Sequence, residues 1–124
     1  MNSYEELKEL KKAKRYEEAI SVAKSLVAAI EKEAKKEGWG VVPAPYMELA
    51  KLYSKTKNTA EEIEILERFF KQKQARGRSK DALAERYLKL CNDTNHAIPP
   101  EIQKIVEKIS SGTLDNELFF EALK

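Results

Sequence analysis

Residues 45–70, PYMELAKLYSKTKNTAEEIEILERFF, read as two amphipathic helices joined by a short polar turn. Leu49, Ala50 and Tyr53 share one face of the first helix, and Ile63, Leu66, Phe69 and Phe70 recur at three- and four-residue steps in the second. Lys57 and Asn58 make the turn. Thr59 followed by Glu62 has the spacing of a capping box, in which the hydroxyl and the carboxylate satisfy free backbone amides reciprocally. Each helix alone leaves an apolar stripe in water, so the pair is stable only when packed against itself and its neighbours.

The same periodicity extends outward in both directions. Upstream, Tyr16, Ala19, Ile20, Ala23, Leu26, Val27, Ile30 and Ala34 form the clearest helical stripe, from Tyr16 to about Glu37. A shorter helix precedes it, with Ser3 and Glu6 in capping-box spacing and Tyr4, Leu7 and Leu10 on one side. Between the long helix and the central pair, GWGVVPAP at residues 38–45 breaks the pattern with glycine and proline. Its apolar content marks it as a loop within the domain rather than a tether, and Trp39 is expected to pack down over a gap between helix pairs.

Downstream, Gly77 is the expected stop of the fourth helix and Ser79 the cap of the fifth, whose buried side holds Ala82, Leu83, Tyr87, Leu90 and Cys91. Pro99 and Pro100 open a sixth helix marked by Ile102, Ile105, Val106 and Ile109, and Gly112 closes it. Asp115 is expected to cap a last short helix, with Leu114 and Phe119 at hydrophobic-staple spacing. No segment alternates as a strand does. The sequence therefore describes one all-α domain over residues 1–124, with helix pairs at about 3–37, 45–76 and 79–109 and a terminal helix at about 115–124.

Composition narrows the function classes. With 124 residues, 42% hydrophobic and 35% charged, the chain can form a continuous core while each helix keeps a wet face. Its net charge of +2 does not mark a general polyanion binder, so only local arrangement of charge carries information. One cysteine, Cys91, makes no internal disulfide, and neither a signal-peptide core nor a membrane-length apolar run is present, which leads to the expectation of a cytoplasmic protein without a membrane partner.

Internal comparison finds Leu49-Ala50-x-x-Tyr53 again as Leu83-Ala84-x-x-Tyr87, a lag of 34 residues. Together with Leu66 and Phe70 on the following helix, and Tyr16, Ala19, Ala23 and Leu26 upstream, this spacing resembles the tetratricopeptide repeat. The resemblance implies stacked antiparallel helix pairs, about seven helices in a right-handed superhelix, acting as a non-catalytic adaptor for a peptide or partner helix. It also implies which positions line the concave surface: Met47, Lys51, Ser54 and Lys55 on the third helix, and Arg78, Asp81, Glu85, Leu88 and Lys89 on the fifth. The lysines, asparagines and arginine by which some of these repeats clamp a terminal carboxylate are not reproduced at the matching positions.

Other chemistry finds little support. Cys91 and His96 are read as the end of a buried stripe and a turn residue, because a reactive thiol needs exposure and a partner imidazole. One cysteine and one histidine fall short of the four nitrogen or sulfur ligands of a structural zinc site, and no glycine-rich phosphate loop or cofactor motif occurs. Glu61, Glu62, Glu64 and Glu67 are read as a solvated helix face, and Tyr46, Tyr53 and Tyr87 as packing residues with wet hydroxyls. Lys71, Lys73, Arg76, Arg78 and Lys80 place five cations in ten residues without an acid. That basic turn suits an acidic protein partner or, as the alternative, a nucleic acid, although no aromatic residue is interleaved for base stacking.

Overall fold

The computed structural model describes residues 2–123 and is all-helical, with seven helices and no strand among them. They are α1 (Ser3–Lys12), α2 (Tyr16–Glu37), α3 (Ala44–Lys55), α4 (Thr59–Phe70), α5 (Ser79–Thr94), α6 (Pro100–Ser111) and α7 (Thr113–Ala122). Each helix packs against the next in chain order, and α4 also touches α6, so the chain builds a stack of antiparallel helix pairs.

The boundaries follow the local chemistry. Gly38 and Gly112 close α2 and α6 at φ of 76° and 79°, the left-handed region that glycine enters without a Cβ penalty. Pro45 and Pro100 occupy first-turn positions, where a missing N–H costs nothing.

Several expected caps lie elsewhere. The first capping box is formed by Asn2 and Glu5, not Ser3 and Glu6: the Asn2 side chain accepts from Glu5 N at 2.9 Å, and Asn2 N donates to Glu5 Oε2 at 3.4 Å. Thr59 and Ser79 are the first residues of their helices and cap neither, and Glu62, the expected partner of Thr59, is buried and turned towards α5. Asp115 lies inside α7, which begins directly after Gly112. Leu114 is accordingly a buried helical residue, while Phe119 remains exposed, and no staple forms.

The fourth helix ends at Phe70, well before Gly77. Past it, the buried Gln74 side chain donates to the carbonyls of Phe69 at 2.8 Å and Gln72 at 3.0 Å, so carbonyls that helical continuation would have satisfied are met by a side chain. The freed backbone pairs with the loop before α3: Val41 N donates to Lys73 O at 2.9 Å, and Val41 and Gln74 form an isolated parallel bridge. Gly40 makes that approach possible, because a Cβ there would overlap the backbone of Gln74 and Ala75.

The core runs through the middle of the stack. Tyr46, Phe69, Phe70 and Tyr87 form an aromatic ladder from α3 through α4 to α5, with successive ring centroids 5.1, 5.3 and 5.3 Å apart. Leu7, Ala19, Ala23 and Val27 extend this core towards α1, and Ile102, Val106 and Ile109 extend it towards α7. Ala19 and Ala23 are fully buried, as close helix packing on the α2 stripe requires.

Candidate functional site

The bridged loops, residues 38–44 and 72–77, are the point from which three clefts open. The first, about 630 Å³, lies against the end of α2 and is lined by Glu31, Lys32, Lys35, Trp39, Arg68 and Lys73. The second, about 530 Å³, runs between α3 and the start of α5, with Val42, Met47 and Ala82 as its apolar floor and Lys51, Arg76 and Ser79 at its polar edge. The third, about 660 Å³, separates Trp39 and Val42 from Leu118 and Ala122 of α7.

Of the nine positions on α3 and α5 that the tetratricopeptide resemblance implies, Met47 and Lys51 line the second cleft. Ser54 and Lys55 lie exposed at the far end of α3, where the Lys55 ammonium stands 6.0 Å from the Tyr16 ring centroid. Arg78 is exposed just ahead of α5, Asp81 is half-buried, and Glu85, Leu88 and Lys89 are exposed, all outside the cleft lining. Sequence reasoning missed Val42, Ser79 and Ala82. The apolar doublet Val41-Val42 was the available signal: its first member anchors the loop in the core and its second faces the cleft.

The basic turn is divided by the fold. Lys71, Lys73, Arg76 and Arg78 are exposed, whereas Lys80 is 2% exposed and belongs to no solvated patch. Its ammonium donates to Ala75 O at 3.2 Å, to Gly77 O, and to Asp115 Oδ1 at 2.5 Å. Gly77 N also donates to Asp115, at 3.3 Å. Burial acts to raise the Asp115 carboxyl, but the Lys80 ammonium and the Gly77 amide outweigh it and hold it below its ordinary value.

Aromatic side chains do reach this turn. Trp39 is 56% exposed rather than packed down, and it shares two clefts with Lys73, whose ammonium donates to Gly38 O at 2.7 Å. Flanking glycines and the Val41–Lys73 bond fix the loop without using the indole. Arg76 lies over the Phe119 ring at 5.4 Å from its centroid. Both contacts cross between elements distant in sequence, so no local run of residues reveals them.

The acidic face is likewise not simply solvated. Glu62 is 4% exposed and accepts from Arg86 Nε at 2.7 Å. Glu31 accepts from Tyr46 Oη at 2.7 Å and, bidentately, from Arg68 at 2.9 and 2.6 Å. Glu67 accepts from Tyr87 Oη at 2.7 Å and stands 2.9 Å from His96 Nε2. The hydroxyls of Tyr46 and Tyr87 are therefore bonded to carboxylates instead of water. Burial, then these bonds, raise both phenols well above their ordinary range.

Cys91 adjoins the Tyr87–Glu67–His96 cluster, but the geometry suppresses its nucleophilicity. Burial pushes the thiol up, Tyr87 acts in the opposite sense, and the Glu67 charge pushes it further up, leaving it protonated at neutral pH. Among the described residues, no group of three or more His, Cys, Asp or Glu could hold a metal ion, and no helix is long and apolar enough to cross a membrane. No protein-family model matches this sequence, and neither a curated protein nor a solved structure matches it.

Proposed function

We propose that the chain is a non-catalytic interaction module of tetratricopeptide-like design that holds an extended, acidic segment of a protein partner in the α3–α5 cleft. The observation that carries this reading is the lining of that cleft. Val42, Met47 and Ala82 offer an apolar floor, Lys51 and Arg76 flank it, and no carboxylate occurs among its lining residues. A segment with one apolar side chain between acidic neighbours complements that surface in both shape and sign. A cytoplasmic location belongs to the same reading, supported by the single buried thiol of Cys91.

The test is fluorescence polarisation with a labelled decapeptide alternating glutamate and leucine. Met47→Asp and Lys51→Glu, with unchanged circular dichroism, should each weaken binding about tenfold or more, equivalent to about 1.4 kcal/mol. Equal affinity of wild type and both variants would remove the cleft from the function.

A second reading is favoured by the exposed indole of Trp39 beside Lys32, Lys35 and Lys73, an arrangement suited to stacking a base and contacting phosphates of a single-stranded nucleic acid. Trp39 is the only tryptophan, so its fluorescence reports on this face alone. Quenching by oligothymidylate that declines steeply with salt supports this reading, and the absence of quenching at low salt rejects it.

A further inference from the structure

The second and third clefts are continuous. Val42, Gln74, Ala75 and Arg76 line both, so one trough passes from Met47 on α3 along the bridged loops to Trp39 and α7. Arg76 marks the junction. Its guanidinium lies over the Phe119 ring, 5.4 Å from the centroid, a contact that orients the cation without neutralising it. An acid of a bound segment that pairs with Arg76 therefore stands at the mouth of the third cleft, and the residues beyond it enter that cleft.

The third cleft selects differently from the second. Its apolar lining is Trp39, Val42, Leu118 and Ala122, while Lys73 and Glu121 bring opposite charges to it. Those two charges offset each other, so the side chain that fits between them is an uncharged, apolar one. A polynucleotide carries a phosphate at every step and meets Glu121, whereas a peptide can set an apolar residue between acids. Adjoining clefts of about 530 and 660 Å³ lie roughly 10 Å apart between centres, and in an extended, polyproline-like segment residues i and i+3 share a face about 9 Å apart.

With the α3–α5 cleft as the seat of an acidic segment, a reading on which this inference rests, we propose that the segment is recognised at two points. One apolar side chain enters the α3–α5 cleft, a second, three residues away, enters the third cleft against Trp39, and an acid between them pairs with Arg76. Trp39 and Ala122 are then specificity-determining positions, and the partner carries an apolar–acid–acid–apolar motif.

Fluorescence polarisation compares a labelled octapeptide that has leucine and phenylalanine three residues apart among glutamates with the same peptide carrying alanine for phenylalanine. Wild type should bind the phenylalanine peptide about fivefold or more tightly than the alanine one. Trp39→Ala and Ala122→Phe, both at exposed positions, should keep the native circular dichroism, abolish that advantage and leave affinity for the alanine peptide unchanged. Met47→Asp should weaken both peptides. Emission from Trp39, the only tryptophan, should shift to the blue with the unlabelled phenylalanine peptide alone. Equal affinity for the two peptides while Met47→Asp still weakens both, or an advantage that survives Trp39→Ala, overturns the second point and leaves the α3–α5 cleft standing. Binding of neither peptide, or binding indifferent to Met47→Asp, overturns both together. Trp39 emission that is quenched by oligothymidylate and unmoved by either peptide gives this face to a nucleic acid and overturns the proposal.

Discussion

Arg86 of α5 reaches 24 residues back along the chain to place its Nε 2.7 Å from the buried Glu62 carboxylate of α4. The bond joins α4 to α5 alongside the Phe70–Tyr87 ring contact and the Tyr87–Glu67 hydrogen bond. Truncating Glu62 to Ala leaves the half-buried guanidinium without its partner, while truncating Arg86 leaves a carboxylate almost wholly out of water. Because the surviving charge is the more deeply buried one, Arg86→Ala should cost more, about 3–4 kcal/mol against about 2–3 for Glu62→Ala. Urea unfolding of both variants checks the order as well as the size. A Glu62→Leu, Arg86→Met double variant should recover much of the loss by replacing the pair with apolar volume.

The Lys80–Asp115 pair joins the start of α5 to α7 through the turn at Gly77. Asp115 has a folded-state pKa lowered relative to the unfolded chain. Its ionised form therefore stabilises the fold above the unfolded carboxylate value, about 4, and that contribution is lost as pH falls through the lower folded value. Asp115→Asn should flatten the acid limb of the stability profile below about pH 4 while changing the alkaline limb little. Thermal melts between pH 2 and 7 measure it, and an unchanged acid limb would remove the pair from the pH response.

Gly40 tests the bridge from which the clefts open. An added methyl would overlap the backbone of Gln74 and Ala75, with no flexible side chain there to yield. Gly40→Ala should break the Val41–Lys73 hydrogen bond and cost about 1–3 kcal/mol, the range for overpacking a filled site. Gly38→Ala has free space but a φ of 76°, so it should cost about 1 kcal/mol through backbone strain while leaving the bridge intact. Native-state hydrogen exchange at Val41 N separates the two: accelerated in the first variant, near wild type in the second.

How far the sequence is legible depends on the range of the interaction concerned. The α2 stripe from Tyr16 to Ala34 and the stops at Gly38 and Gly112 appear where periodicity and backbone chemistry place them, because neighbours within one or two turns decide them. Asn2 displaces Ser3 as the first cap because both are competent acceptors and only the three-dimensional entry of the chain chooses between them. Lys80 reads as one more cation in KQKQARGRSK until Asp115, 35 residues on, folds against it. Glu62 reads as part of a wet face until Arg86 arrives from α5. Trp39 and Met47 differ at the candidate site: the tetratricopeptide resemblance points to Met47, but the exposure of Trp39 depends on the Val41–Lys73 bridge, which has no local signature.

Tyrosine ionisation probes the aromatic ladder directly. Of the five tyrosines, Tyr46 and Tyr87 are fully buried and bonded to Glu31 and Glu67, and burial followed by those bonds raises both phenols. A phenol raised in the folded state stabilises the protein fully below its unfolded value, about 10, and the stabilisation disappears as pH climbs towards the folded value. Absorbance at about 295 nm should therefore show the ionisation of Tyr46 and Tyr87 delayed to a late phase that coincides with loss of helical circular dichroism. Tyr46→Phe and Tyr87→Phe should each remove one phenol from that late phase. Each should also cost about 1 kcal/mol at neutral pH, because the ring packing survives while a carboxylate loses one donor and keeps another. Ionisation of Tyr46 and Tyr87 near pH 10 with the helices intact would show that these hydroxyls reach water and that the carboxylate bonds do not hold the ladder in place.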